Sequence, residues 1–213
     1  VARAGDAGHH RHQLVLRPRA QVERGGVPDG AAPPGLGVEE VEPAVVVAAL
    51  GYVLRTSPPW YERIRYPLQY SEYIRVHAKE HHLDPALMAA VIYQESKFRP
   101  AVESSSGAIG LMQLTPSTAR GIAIRTGGAA FKTSALYNAE INIRYGAWYL
   151  DNLFAKYHDE RLVLAAYNAG QGNVDKWIAH GEDIQFPETR AYVSRVEHLK
   201  GIYATAWRSQ LYE

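Results

Sequence analysis

Hydrophobic positions recur every three or four residues through most of the chain after Pro67, which is the interval of an amphipathic helix. The predicted helices cover residues 68–82, 85–96, 116–124, 138–156, 159–168, 172–180 and 187–207. Asp84-Pro85 and Thr115-Pro116 each place an N-cap residue before a proline at the first helical position, which marks two helix starts. No alternating run is long enough to indicate a sheet. The sequence therefore predicts a mainly all-α domain over residues 67–213.

The segment before this domain divides into two parts. Residues 1–40 are rich in glycine, proline and scattered arginine, and they cannot bury enough apolar surface to offset their ordering entropy. We expect a disordered extension there, although the composition also fits translation from upstream of the true start. Residues 41–66 hold a short apolar segment, at 44–54, and a Pro-rich linker. The apolar run is shorter than the ~20 residues of a spanning helix, and it fits either a signal or membrane-anchor remnant or a short buried helix.

Composition excludes several classes of function. The 213 residues carry a formal charge of +1, which gives no indication of a nucleic-acid partner. Cysteine is absent, which excludes disulfides, thiol catalysis and zinc–thiolate sites. His77 and His81 stand four residues apart on a predicted helix, but they lack the Glu of a His-Glu-x-x-His zinc motif. We expect them on a solvated helix face, and we expect no metal site.

Glu95 stands out in the helix predicted over 85–96. Met88, Val91 and Ile92 share one helical face with it, so its carboxyl group ends an apolar stripe. Burial disfavours the charged form of a carboxyl group and raises its pKa, and an acid protonated near neutral pH can donate a proton to a leaving group. The same spacing also suits a helix-end glutamate whose head reaches water, and spacing alone leaves both interpretations open.

Four sequence blocks add to this interpretation of Glu95. Glu95-Ser96 is followed by Ser104-Ser-Ser-Gly-Ala-Ile-Gly-Leu-Met-Gln113 and Pro116-Ser-Thr-Ala119. Ala165-Ala-Tyr-Asn-Ala-Gly170 and Pro187-Glu-Thr-Arg-Ala-Tyr-Val193 come later in the chain. In motif and in order, these blocks closely resemble the soluble bacterial lytic transglycosylases of the goose-lysozyme-like superfamily. The resemblance covers roughly residues 67–207.

The resemblance implies a lysozyme-like helical domain with a groove that binds peptidoglycan glycan strands. Glu95 matches the family's catalytic acid/base, and the matching substrate-binding residues are Ser104, Gln113, Tyr167, Asn168, Glu188 and Tyr192. No cofactor is implied, and we expect a monomer. The expected location is the cell envelope outside the cytoplasm, with a possible membrane tether through residues 44–54. One departure is visible, because many members have methionine at the position of Thr115.

Three of these residues also have ordinary structural explanations. Tyr167 on an alanine-rich helix suits core packing, and Asn168 suits a helix C-cap. Glu188 follows Pro187 and could complement a helix dipole in a first turn. The residues alone leave these alternatives open, and the resemblance favours roles at the active site.

The motifs supply one central carboxyl group, whereas most glycosidases use two. One acid is enough if the attacking group is already tethered to the sugar, as the 6-hydroxyl of N-acetylmuramic acid is. The expected product is then a 1,6-anhydro sugar. A lysozyme-type hydrolase would need an acid that positions water, and the candidates are Glu103, Asp183 and Glu188. A protein that binds peptidoglycan without cutting it is the other alternative.

Overall fold

Helices form most of the backbone in the computed structural model, which describes residues 42–128 and 130–213. The helices are α1 (Pro43–Thr56), α2 (Pro59–Arg65), α3 (Ser71–Glu80), α4 (Pro85–Ser96), α5 (Pro116–Arg125), α6 (Ala139–Tyr157), α7 (Glu160–Ala169), α8 (Gln171–Ala179), α9 (Pro187–Ala206) and α10 (Arg208–Tyr212), with a 3-10 helix at Thr133–Tyr137. Over the described ranges, extended pairing is limited to isolated bridges from Ile109 to Glu103 and to Leu114. The predicted mainly all-α fold class is confirmed. The predicted disordered extension, residues 1–40, lies outside the described residues.

Side-chain caps and left-handed backbone positions set the helix boundaries. Asp84 Oδ1 accepts the Ala86 N–H at 2.9 Å, and Thr115 Oγ1 accepts the Thr118 N–H at 3.2 Å, as their sequence signals predict. Helix α3 is shorter than the predicted range of 68–82. Tyr70, with φ 56°, precedes its first residue, and the chain turns after Glu80.

Helix α4 is the central helix of the domain. Every residue from Ala86 to Ile92 is buried, because the helix is apolar on all sides rather than along one stripe. It packs against α9 along its length and against α3 and α10 elsewhere. In the last turn of α4, Glu95 is partly accessible.

A single buried amide fixes the loop that follows α4. Asn142 on α6 is fully buried and accepts the Met112 N–H at 2.7 Å. Its own amide donates to the carbonyls of Ile109 and Leu136, at 2.9 Å each. Gly146 lies one turn further along α6, and a β-carbon there would overlap the Met112 side chain. The loop therefore rests directly on the α6 backbone in one position.

His77 on α3 and His81, which directly follows this helix, differ from the expectation of a solvated face. His77 is buried, with Nδ1 3.0 Å from Glu80 and Nε2 3.4 Å from Glu140. His81 Nδ1 lies 3.0 Å from Asp151 on α6. Polar residues at this spacing suggest a solvent face, but here they join α3 to α6 through carboxylates, which a periodicity argument cannot detect.

The segment predicted as an apolar run and linker is helical. Helix α1 has no buried residue, so it is not the short buried helix that the sequence left as one option. Helix α2 lies within the predicted linker and contacts α9, where the Arg63 Nε donates to the Ala206 carbonyl at 2.6 Å. Over residues 42–128 and 130–213, no helix has both the length and the hydropathy needed to cross a bilayer.

Candidate active site

Glu95 lies in the last turn of α4 and faces α9. The helix ends at Ser96, and the following Lys97, with a φ of 54°, turns the chain away. The Tyr192 hydroxyl on α9 donates to Glu95 Oε1 at 2.7 Å. Burial raises the pKa of Glu95 to about 7, while the Tyr192 hydrogen bond acts in the opposite direction. Glu95 is thus a carboxyl group held in a fixed orientation and able to gain or lose a proton near neutral pH.

Tyr167 and Tyr192 form the walls beside this carboxyl group. Burial, and then the nearby charge of Glu95, raise the pKa of both phenols well above the ordinary range, so both stay protonated donors. The Tyr167 hydroxyl donates to the Met112 carbonyl at 2.7 Å. Its ring lies 5.5 Å from that of Tyr149 on α6, at an interplanar angle of 48°. Helices α4, α6, α7 and α9 therefore each contribute a side chain to one small cluster.

Ser104 and Gln113 lie in the loop that carries Met112. The Ser104 Oγ accepts the Ala108 N–H at 3.0 Å, and the Gln113 Nε2 donates to the Val102 and Gly110 carbonyls at 3.1 and 2.9 Å. Both side chains brace the loop in this structure. Their relation to Glu95 is indirect: the loop that they brace accepts a hydrogen bond from Tyr167 at the Met112 carbonyl, and Tyr167 lies beside Glu95.

Asn168 and Glu188 lie at the end of α7 and in the first turn of α9. The Asn168 Oδ1 accepts the hydroxyl proton of the buried Thr189 at 2.8 Å, which joins the end of α7 to the start of α9. Glu188 is exposed in the first turn of α9, one turn before Tyr192. The structure therefore places Asn168 at the contact between α7 and α9, and Glu188 on the exposed surface of α9.

Sequence reasoning missed two residues of this cluster, Tyr149 and Thr189. The Tyr149 ring lies tilted against that of Tyr167, but Tyr149 is one aromatic residue among several on α6, and periodicity does not single it out. Thr189 lies inside the Pro187–Val193 block, and its position between the predicted site residues Glu188 and Tyr192 could have indicated it. Its hydroxyl holds Asn168 in one orientation.

Of the three carboxylates proposed for a water-positioning role, Glu103 and Asp183 engage other groups, and Glu188 is exposed. Glu103 is exposed and accepts the Tyr137 hydroxyl proton at 2.8 Å. Asp183 accepts the N–H of the following residue, Ile184. Among the described residues, no second carboxylate contributes to the raised pKa of Glu95. The geometry thus provides one acid in a setting of phenols and amides.

Comparisons with known proteins identify the family of the chain. A family model described as a transglycosylase SLT domain matches residues 72–186, which is more than half of the chain. This chain belongs to the transglycosylase SLT domain family. It is similar to a Haemophilus influenzae protein assigned to the soluble lytic murein transglycosylases, with 35% identity over 147 residues, 64% of this chain and 25% of that protein. The resemblance noted from the four sequence blocks is therefore confirmed.

Two further matches extend the comparison with the SLT domain family. The soluble lytic murein transglycosylase of Escherichia coli is 32% identical over 144 residues, covering 62% of this chain and 22% of that protein. The solved structure of an inactive mutant of lytic transglycosylase Slt from Pseudomonas aeruginosa gives a TM-score of 0.65 at 29% identity, covering 78% of this chain and 30% of that chain. This SLT-domain chain spans about a quarter of the length of the curated relatives it matches.

The raised pKa of Glu95 has a consequence for folding stability. The folded pKa of about 7 exceeds the unfolded value of 4.5, so the folded state binds more protons between these values and its stability falls as pH rises through that window. Glu95→Gln keeps an oxygen acceptor for Tyr192 and removes the charge. We expect the stability gained by Glu95→Gln over the wild-type protein to be about 2–3 kcal/mol larger at pH 8 than at pH 4, measured as the free energy of unfolding in urea.

Glu197→Gln is the matched control for this comparison, because it removes one exposed carboxylate from the middle of α9. We expect Glu95→Gln to gain stability relative to this control at pH 8. Equal effects of the Glu95 change at both pH values would contradict a dehydrated carboxyl group.

Proposed function

We propose that the protein is a peptidoglycan lytic transglycosylase that cleaves the bond between N-acetylmuramic acid and N-acetylglucosamine and leaves 1,6-anhydro ends. The observation that carries this proposal is one partly buried carboxyl group, Glu95, with a pKa raised to about 7 and a phenol hydrogen bond that fixes its orientation. Membership of the SLT domain family supports the same conclusion. The names of the relatives give the substrate as murein, and the local chemistry of Glu95 suits the breaking of a glycosidic bond.

The first chemical step needs an acid. Protonated Glu95 donates its proton to the glycosidic oxygen as the bond from that oxygen to C1 of the muramic acid breaks. Positive charge develops at C1, and the sugar's own 2-acetamido oxygen stabilises it. Tyr167 and Tyr192 remain protonated beside the carboxyl group, so they supply hydrogen-bond donors rather than competing negative charge.

The second step needs a base and a nucleophile. Glu95 is now ionised, and the Tyr192 hydrogen bond stabilises its charge. It removes the proton of the 6-hydroxyl group as the 6-oxygen bonds to C1. The tethered hydroxyl group has a large effective molarity, so no activated water and no second carboxylate are needed. The proton is returned to Glu95, no water is consumed, and the enzyme is ready for the next bond.

We expect Glu95→Gln to lower the rate of release of soluble fragments from sacculi by about 10²–10⁴-fold, because the general acid is lost. The measurement is mass spectrometry of the fragments released by the wild-type protein, by Glu95→Gln and by the control Glu197→Gln. Wild type and control should release anhydro-muropeptides in equal amounts.

The same mass analysis separates the alternatives. Fragments one water heavier than anhydro-muropeptides would indicate a lysozyme-type hydrolase and would sink the transglycosylase proposal. Binding to sacculi with no fragment released, and no effect of Glu95→Gln, would indicate a binding protein.

The Tyr192 hydrogen bond generates a prediction about pH dependence. Tyr192→Phe removes a donor that favours ionised Glu95, so the pKa of Glu95 should rise further. We expect the alkaline limb of the kcat/KM profile to move upward by about one pH unit. Tyr203→Phe is the matched control on the same helix, since the Tyr203 hydroxyl donates to the Pro67 carbonyl at 3.1 Å instead. An unmoved limb in Tyr192→Phe would count against Glu95 as the titrating acid.

We also propose that the protein works as a monomer outside the cytoplasm, with α1 resting on a lipid surface. Helix α1 has no charged residue before Arg55, and its side chains are exposed on all sides. Its 14 residues extend about 21 Å, short of the roughly 30 Å hydrocarbon core, so it suits insertion in the interface rather than crossing. Arg55 lies in the last turn of α1 and the exposed Trp60 follows the helix, as at the edge of a membrane segment.

Flotation with vesicles of mixed anionic and zwitterionic lipids tests the α1 proposal. We expect the whole chain to float with the vesicles, and the double change Val46→Glu with Leu50→Glu to abolish this, because charges on an apolar helix oppose burial in lipid. Ile124→Glu alters an apolar residue that is 76% exposed on α5 and serves as the control. Equal flotation of all variants, or self-association without lipid, would overturn the tether.

A further inference from the structure

Thr189 carries a buried hydroxyl group that the proposed mechanism does not use. The residue lies in the first turn of α9 and is 2% exposed. Tyr192, which donates to Glu95, follows it by three residues on the same face of this helix. The two residues are separated by a rise of about 4.5 Å along the helix axis. The contacts of Thr189 therefore bear on the surroundings of the candidate acid.

The Thr189 hydroxyl group joins α9 to α7 through one hydrogen bond. It donates to Asn168 Oδ1 at 2.8 Å. A threonine near a helix start can instead donate to the carbonyl four residues earlier, which here is that of Gln185. The Gln185 carbonyl already accepts the Arg190 Nη1 group at 2.9 Å. The hydroxyl proton of Thr189 is thus given to the Asn168 amide.

Burial determines which end of the Asn168 amide faces Thr189. If the amide were turned over, its Nδ2 group would donate to the Thr189 oxygen, and the hydroxyl proton would lose its acceptor in a buried position. A buried donor without an acceptor is costly, and the observed orientation avoids this. The arrangement therefore keeps Oδ1 on Thr189 and turns Nδ2 away from α9.

The Nδ2 end of Asn168 is available to a ligand. Asn168 is exposed, and the part of the chain that the structure describes offers its Nδ2 group no acceptor. Asn168 is not the cap of its helix, because α7 continues to Ala169 and Gly170 takes the cap position. Burial, and then the charge of Glu95, raise the pKa of the preceding residue, Tyr167. Asn168 therefore directly follows a residue that lies beside the acid.

We propose that Thr189 is a positioning residue, which fixes Asn168 as a hydrogen-bond donor to an acceptor oxygen of the bound glycan. The inference rests on the proposed function. Hydroxyl and acetamido carbonyl oxygens are the acceptors that such a strand offers, and a donor already held in one orientation loses little freedom on binding one of them. Without the Thr189 hydroxyl group the amide can turn over, and Oδ1 then faces the glycan oxygen with no proton between them.

Thr189→Val tests this role, because it removes the hydroxyl group at nearly constant side-chain volume. We expect KM on soluble uncross-linked peptidoglycan strands to rise about threefold, since the ligand must then order the Asn168 amide. The glycan oxygen concerned does not react, so kcat and the alkaline limb of the pH profile should stay unchanged. A purely structural role of Thr189 would disturb Tyr192 on the same helix. A fall in kcat or a displaced limb would therefore overturn the proposal.

Two variants isolate the hydroxyl group as the cause. Thr189→Ser keeps this group and should keep the wild-type KM, and a rise as large as that of Thr189→Val would contradict the proposal. Thr205→Val is the control on the same helix, because the exposed Thr205 hydroxyl donates to the Gly201 carbonyl at 2.9 Å. We expect no change in KM from this control. An equal rise in KM there would mean that the effect is not specific to Thr189.

A double-mutant cycle shows whether Thr189 acts through Asn168. We expect Asn168→Ala to raise KM about fivefold, because the donor itself is lost. Thr189→Val should add nothing in the Asn168→Ala background, whereas additive effects would overturn the positioning role. Asn168 is exposed, so Asn168→Ala should fold even if Thr189→Val does not. An unchanged KM in Asn168→Ala would by itself refute the inference.

Failure of this inference can be told apart from failure of the proposed function. If the wild-type protein cleaves no strand, the proposed function fails, and isothermal titration of the uncut strands into the same variants replaces the KM measurement. A loss of affinity of about threefold in Thr189→Val would then still support the role of Thr189. Equal affinity of the wild-type protein and Thr189→Val would overturn it.

Discussion

The hydrogen bond from the Tyr192 hydroxyl to Glu95 is the interaction on which the candidate site depends. It joins the last turn of α4 to α9, the two helices that pack together along the core. Burial of Glu95 raises the pKa of its carboxyl group, and the phenol opposes part of that rise. A more dehydrated carboxyl group would hold its proton too tightly to act later as a base. A more hydrated carboxyl group would lose its proton before the substrate arrives. The balance near neutrality suits one group that must act in both directions.

This balance requires rigid surroundings, and polar contacts inside the core supply them. Asn142 holds the loop after α4 through three hydrogen bonds, and the Tyr167 hydroxyl closes the same loop at Met112. Gly146 allows the loop to rest on α6 where any side chain would overlap. Because buried polar groups lose free energy when they are unpaired, each contact favours one position of the loop. Hydrogen bonds and close packing thereby hold the side chains around Glu95 in place.

Local signals allowed much of this arrangement to be predicted, and long-range contacts explain the remainder. The starts of α4 and α5 depend on Asp84 and Thr115 contacts within three residues, which a sequence displays directly. The buried position of Asn142 was not predictable, because polarity at a helical position suggests solvent unless its partners are known. The prediction of a solvated position for His77 was wrong for the same reason, because its partner Glu140 lies on another helix. Glu95 could be singled out because its motif and its apolar neighbours agree, whereas its partner Tyr192 required the resemblance.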